Sequence, residues 1–136
     1  MQHHDPVLLA KGDTIRRCVD RAKDAFSNSA DFARDIDAQD IAVLNVIRAC
    51  EAAIDMAMRQ IKARNLALPS SRADAFTILA DAKIIQPDMV APLRAMTGFR
   101  NVAVHDYTRL DLSILASVVE HDLTQLLAFA HHLIVS

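Results

Sequence analysis

The chain has no tryptophan, one tyrosine, five phenylalanines, two glycines, four prolines and two cysteines in 136 residues. So few glycines and prolines leave little provision for the tight turns of a many-stranded fold. The 52% hydrophobic content, rich in Ala, Leu and Ile, favours long helices instead. The scarcity of aromatic rings argues against a base-stacking platform of the kind single-strand binders use. No run reaches the roughly 18 to 20 uninterrupted apolar residues of a bilayer span, because Glu120, His121, Asp122 and His131 break even the C-terminal stretch. No secretory signal is visible, and a cytoplasmic location is expected. Cys18 and Cys50 lack any C-x2-C partner and fall on apolar helical faces, so buried free thiols are expected rather than a disulfide.

Missing motifs narrow the chemistry further. His3, His4, His121, His131 and His132 form neither H-E-x-x-H nor a Cys/His zinc spacing, so no metal site is expected. There is no G-x-G-x-x-G, no P-loop and no nucleophile elbow, and no cofactor is expected. The formal net charge is −2, an awkward balance for a general nucleic-acid binder, whose non-specific affinity rests on neutralising many phosphates. Any such contact must come from local groups. Candidates are Arg16, Arg17, Arg21 and Lys23, then Arg59, Lys62 and Arg64, then Arg94, Arg100 and Arg109.

What is present reads as one domain, residues 1–136, without repeats or linkers. Apolar residues at Leu8, Ile15, Val19, Ala22 and Phe26 predict a helix from Pro6 to Ser27. Asn28 to Asp37 is turn-like, with Phe32 and Ile36 placed to pack down as a hook. Asp37 or Asp40 is suited to cap a long second helix reaching Arg64 and carrying Ile41, Leu44, Ile47, Ile54, Met58 and Ile61. Ser71 and Asp74 resemble a weak capping box for a third helix to about Ile84. Pro87 suits the first turn of a fourth helix, and Pro92 is placed to kink it or reset its start. Asp111 is expected to cap a fifth through Leu133. Together these make an all-α up-and-down bundle of four to five helices.

Near the end of the fourth helix, Arg100-Asn101-Val102-Ala103-Val104-His105-Asp106-Tyr107 gathers a cation, an imidazole and a phenol. Arginine grips phosphate through a planar fork of donors, and histidine exchanges protons near neutral pH, a pairing suited to phosphodiester cleavage. On a continuing helix Arg100 and Tyr107 would share a stripe, and Asn101 and His105 a neighbouring one. Arg100 and His105 would lie about 140° apart around the axis, too far to grip one small group unaided. Either the helix ends near His105 or a second surface, such as a dimer mate, completes the pocket. Arg100 as a salt-bridge partner, His105 as a helix-end cation and Tyr107 as a loop anchor are the plain alternatives. Gly98, one turn earlier, allows close approach of another backbone, whether to open a cleft or to seat a helix. Asn45, Arg48 and Asp55 are either supporting polar residues of the cleft or an exposed face.

Arg100, His105 and Tyr107 in the order Arg-x4-His-x-Tyr, with polar Asn101 after the arginine, resemble the signature of the HEPN superfamily and its HepT branch. The flanks around Ala49 to Ala57, Leu68 to Phe76 and Met96 to Arg100 are similar too. That resemblance implies a metal-independent, dimeric ribonuclease toxin of a two-gene, type VII toxin–antitoxin module. Its substrate would be RNA, such as tRNA or mRNA, and its partner a minimal nucleotidyltransferase, MntA, that transfers AMP to the motif tyrosine. On this chain it implies Arg100 and His105 as the catalytic pair, Asn101 in support and Tyr107 as the modified residue. The alternative is a non-catalytic helical partner of a nucleotidyltransferase.

Overall fold

The computed structural model describes residues 5–135, which form an all-α bundle. Helix α1 spans Pro6–Ser27, where sequence periodicity places it. Asp5 caps it by accepting from the Val7 amide at 2.9 Å, and Pro6 occupies the first turn, where a missing N–H costs nothing. A 3-10 turn, Phe32–Arg34, follows, with Phe32 set edge-on against Phe26 at a ring separation of 4.9 Å. Ile36 does not join this hook and stays exposed.

Helix α2, Ile36–Ala63, is capped by Asp35 rather than by Asp37 or Asp40, the Asp35 carboxylate accepting from the Ala38 amide. Its core face is also rotated from the expected one. Ala42, Val46, Ala49, Ala53, Met56 and Ala57 are buried, whereas Ile41 and Leu44 stand 49% and 47% exposed. Small side chains define the seam because they let the long α1 and α2 pack closely along their length. Of the apolar residues expected in the core, Ile54 and Ile61 are buried and Ile47 and Met58 half-buried, while Ile41 and Leu44 are left outside.

Helix α3, Asp74–Asp81, opens where the capping box is predicted. The Ser71 hydroxyl accepts from the Asp74 amide at 3.1 Å, and the Asp74 carboxylate reaches back to the Ser70 amide at 2.9 Å. It ends three residues short of Ile84, because the chain turns through Lys83 at φ 62°. Pro87 lies in a 3-10 turn, Pro87–Met89, that leads into α4, Val90–His105. Pro92 falls within the first turn of α4 and does not kink it.

After a further 3-10 turn, Tyr107–Arg109, the C-terminal rod runs as α5, Leu112–Ser117, a π turn, Val118–Asp122, and α6, Leu123–Val135. Asp111 caps it through the Ser113 amide at 2.8 Å, as expected. The π turn has no sequence signature; its extra residue lets Val118, Val119 and Leu123 all reach the core. At 24 residues, the rod Leu112–Val135 is long and apolar enough, by length and composition, to cross a membrane. Glu120, His121, Asp122 and His131 interrupt it as read from the sequence, so it is long and apolar on average without being an unbroken apolar run. In the fold its apolar seam, including Leu115, Leu126, Phe129 and Leu133, is core packing, with Phe129 edge-on to Phe76 at 5.3 Å. His132 ties the rod to the turn after α3 through the Ile84 carbonyl at 2.6 Å.

Cys18 and Cys50 are buried free thiols. Burial pushes the Cys50 thiol up to about 12.

Candidate functional site

Helix α4 stops at His105, and that stop sets the geometry of the site. The backbone leaves the helix at Asp106, with φ −152° and ψ 66°, so Tyr107 does not share a helical stripe with Arg100. It stands instead on the next 3-10 turn, 48% exposed, with its hydroxyl donating to the Asp40 carboxylate on α2. The carboxylate stabilises the neutral phenol and raises its pKa to about 12. Tyr107 is therefore a loop anchor as well as a candidate acceptor.

Arg100 is 9% exposed and does not pair with Asp106 or Asp111. Its Nη2 donates to Glu51 Oε1 of α2 at 2.9 Å, and its Nη1 donates to Asn101 Oδ1 at 3.1 Å. Its Nε is buried with no partner. An unpaired buried donor costs about 1–3 kcal/mol, so this guanidinium retains hydrogen-bonding capacity for an incoming acceptor. It lines a groove of about 390 Å³ together with Glu51, Ile54, Asp55, Met58 and Arg72. Asp55 faces this groove, as one reading of the sequence has it, while also pairing with Lys11 at 2.9 Å.

Asn101 holds the arginine, not the imidazole: it makes no hydrogen bond to His105, although the two are four residues apart. His105 is exposed at the end of α4 and has no hydrogen-bond or ion-pair partner among the described residues. Its basic side chain also sits favourably against the C-terminal helix dipole. Gly98 is exposed, and a Cβ built there would meet nothing within 4 Å, so no helix of this chain packs on it. The close approach occurs at Gly12, which lies against Ile134.

Below Arg100, α2 carries Asp40, Leu44, Ile47 and Glu51 along one stripe. Asp40, Val43, Leu44, Ile47 and Tyr107 line a second hollow of about 320 Å³. Glu51 and Asp40 escape sequence reasoning because each meets its partner from a distant helix. Arg48, on the stripe next to Glu51, lines a separate hollow with α1, and Asn45 is buried near it. His121 and His131 are exposed, and His3 and His4 lie outside the described residues.

Set against known proteins, residues 15–133 match the family model described as Ribonuclease HepT-like. The chain is 38% identical over 117 residues to the mRNA nuclease HepT of Shewanella oneidensis, covering 86% of this chain and 88% of that protein. Among solved structures, the tri-AMPylated Shewanella oneidensis HEPN toxin in complex with MNT antitoxin superposes with a TM-score of 0.92 at 35% identity, covering 97% of this chain and 99% of that one. A toxin–antitoxin structure with AMP-PNP gives 0.92 at 34% identity, covering 97% and 100%. The cytosolic protein YutE of Bacillus subtilis shares the fold, with a TM-score of 0.75 at 19% identity, covering 98% of this chain and 90% of that one.

Proposed function

The chain belongs to the HepT-like ribonuclease family, and from that premise we propose that it is a metal-independent endoribonuclease toxin that uses Arg100 and His105 and is silenced by AMP transfer to Tyr107. The observation that carries the assignment is the state of Arg100, a nearly buried guanidinium held by Glu51 and Asn101 in a groove wall, with its buried Nε–H unpartnered.

In the proposed reaction the ribose 2′-oxygen loses its proton to a base and bonds to the adjacent phosphorus. The bond from phosphorus to the 5′-oxygen breaks, and that oxygen takes a proton. The products are a 2′,3′-cyclic phosphate and a 5′-hydroxyl. His105 performs one proton transfer and the His105 of a second copy the other. Arg100 stabilises the charge that builds on the phosphoryl oxygens. Support for a two-copy site comes from the separation of the two groups within one chain: the guanidinium is sunk against α2, whereas the imidazole is free at the helix end. Val102 and Val104, 42% and 45% exposed, flank the Asn101–His105 stripe of α4 on opposite sides, so the rim around the imidazole is apolar enough to pack against another copy.

The partner is a nucleotidyltransferase antitoxin. In the silencing step the Tyr107 oxygen attacks the α-phosphorus of ATP, pyrophosphate leaves and the phenolic proton is released. The resulting phosphodiester puts a fixed negative charge and a nucleoside at the Asp40 end of the α2 stripe that leads to Glu51 and Arg100, where charge and bulk together obstruct an RNA strand lying along it.

The test is incubation of the purified protein with RNA in the presence of a chelator, beside His105→Ala. Cleavage by the unmodified chain and not by the variant is expected, and equal cleavage by both would remove the assignment. For the switch, treatment with the nucleotidyltransferase and ATP should add AMP-sized mass increments that are lost in Tyr107→Phe. Their persistence would move the acceptor elsewhere.

A further inference from the structure

One step round α2 from the stripe that carries Glu51, three guanidiniums from two helices meet over one groove. Arg17 and Arg21 of α1 and Arg48 of α2 line a hollow of about 550 Å³ with Thr14, Cys18 and Asp20. Arg21 and Arg48 also line the adjoining hollow of about 480 Å³, whose walls include Asp24, Ile41, Leu44 and Asn45. All three arginines lie close enough to Cys18 to favour its thiolate, though burial outweighs them and raises that thiol.

Several cations elsewhere on the surface are spent, whereas Lys23, Lys62, Arg72 and Lys83 stand singly and do not converge on one groove with a buried acceptor. Arg16, Arg34, Arg59, Arg109 and Lys11 each pair with a carboxylate. Within the groove Arg17 is held by Asp13 at 3.1 Å, and Asp20 is engaged by Arg16 at 3.5 Å. Arg21 and Arg48 have no hydrogen-bond or ion-pair partner among the described residues, and Asp24 is the carboxylate left to oppose them. The groove also holds an unmet acceptor. Asn45 is 3% exposed, its amide nitrogen is committed to the Ile41 carbonyl at 2.8 Å, and its Oδ1 has no partner. Two free guanidiniums beside a buried acceptor suit a ligand that carries both phosphates and hydroxyl or amino donors.

The groove connects to the motif. Leu44 lines both the arginine hollow and the hollow that ends at Tyr107, so only an exposed apolar ridge of Ile41 and Leu44 separates the two. We propose that this α1–α2 groove is a second RNA site, in which Arg21 and Arg48 hold backbone phosphates of the single strand flanking the cleavage point and Asn45 Oδ1 accepts from a ribose hydroxyl or base. The proposal rests on the ribonuclease reading above. It also explains how a chain with net charge −2 holds a polyanion: the contact is local.

The test compares Arg21→Ala/Arg48→Ala with the unmodified chain on an RNA of about 12 nucleotides, long enough to leave the motif and cross the ridge, and on a dinucleotide that cannot. The ratio of kcat/KM for the long substrate over the dinucleotide should fall about tenfold. The dependence of long-RNA affinity on salt should become shallower by about 1.4 in log–log slope, at about 0.7 for each phosphate that is no longer neutralised. Asp24→Asn, which removes the opposing charge, should tighten long-RNA binding. An unchanged ratio and slope would overturn the site, as would equal loss on both substrates. If the unmodified chain bound long RNA with an arginine-dependent slope but cut nothing, the groove would stand and the ribonuclease reading would fall.

Discussion

The hydroxyl of Tyr107 donates to the carboxylate of Asp40, 67 positions earlier, and so fastens the turn after α4 to the second helix. Tyr107 is the only tyrosine in the chain, so its ionisation can be read directly from tyrosinate absorbance. The phenol should titrate near pH 12 rather than 10, and Asp40→Asn should bring the midpoint down toward 10. The sign follows from the raised folded-state value. The contact contributes stability in full below pH 10 and loses it as pH rises through about 12. A midpoint near 10 in the unmodified chain would show that the contact does not persist in solution.

Once AMP is attached, the Tyr107 oxygen has no proton to donate, and its new phosphate faces the Asp40 carboxylate. Modification should therefore loosen the turn from α2. Amide hydrogen exchange across 106–110 should be faster in the AMP-bearing chain than in the free one. The unmodified Tyr107→Phe variant should show an increase of the same direction, since it lacks the same donor. Unchanged exchange in both would mean that the turn is held by its own backbone bonds, from Arg109 to Asp106 and from Leu110 to Tyr107.

Glu51 separates two roles of Arg100, its orientation and its charge. Glu51→Gln keeps an acceptor for Nη2 at about the same place and should leave cleavage within about threefold. Glu51→Ala frees the guanidinium and should lower kcat by about tenfold, because orientation is lost at the reacting phosphate. Arg100→Ala removes the charge itself and should cost about 10²–10³ in kcat. A steady-state series on one RNA substrate checks the order. If Glu51→Ala cut faster than the unmodified chain, Glu51 would be a competitor for the cation rather than its support.

Much of the fold is legible in the sequence because capping and periodicity are local. Pro6, Ser71 and Asp111 mark helix starts through chemistry that operates within a few residues, and the structure places helices there. The core face of α2 is harder to read. Ile41 and Leu44 look like core by hydrophobicity, but alanines win the seam because helix separation, a tertiary quantity, rewards small side chains. The site divides in the same way. The spacing of Arg100 and His105 is enough to show that they cannot meet on one continuing helix. The groups that hold Arg100 and Tyr107, Glu51 and Asp40, are 49 and 67 residues away.

The two glycines provide the last contrast. Gly98 sits inside α4, where an added Cβ meets nothing within 4 Å. Gly98→Ala should therefore gain the helix preference of alanine, about 0.5–1 kcal/mol, and raise Tm by about 2–5 °C. Gly12 is also helical, but its Cβ would come within 2.6 Å of Ile134 Cδ1. There the same gain is offset by displacing the tip of that side chain, so Gly12→Ala should change stability by less than about 0.5 kcal/mol. Thermal unfolding of both variants at low protein concentration checks the pair. At high concentration Gly98→Ala also reports on assembly: if a second copy packs its backbone over the motif end of α4, the new methyl group should weaken association while the dilute chain remains stabilised. A stabilised variant that associates as well as the unmodified chain would place the contact between copies away from Gly98.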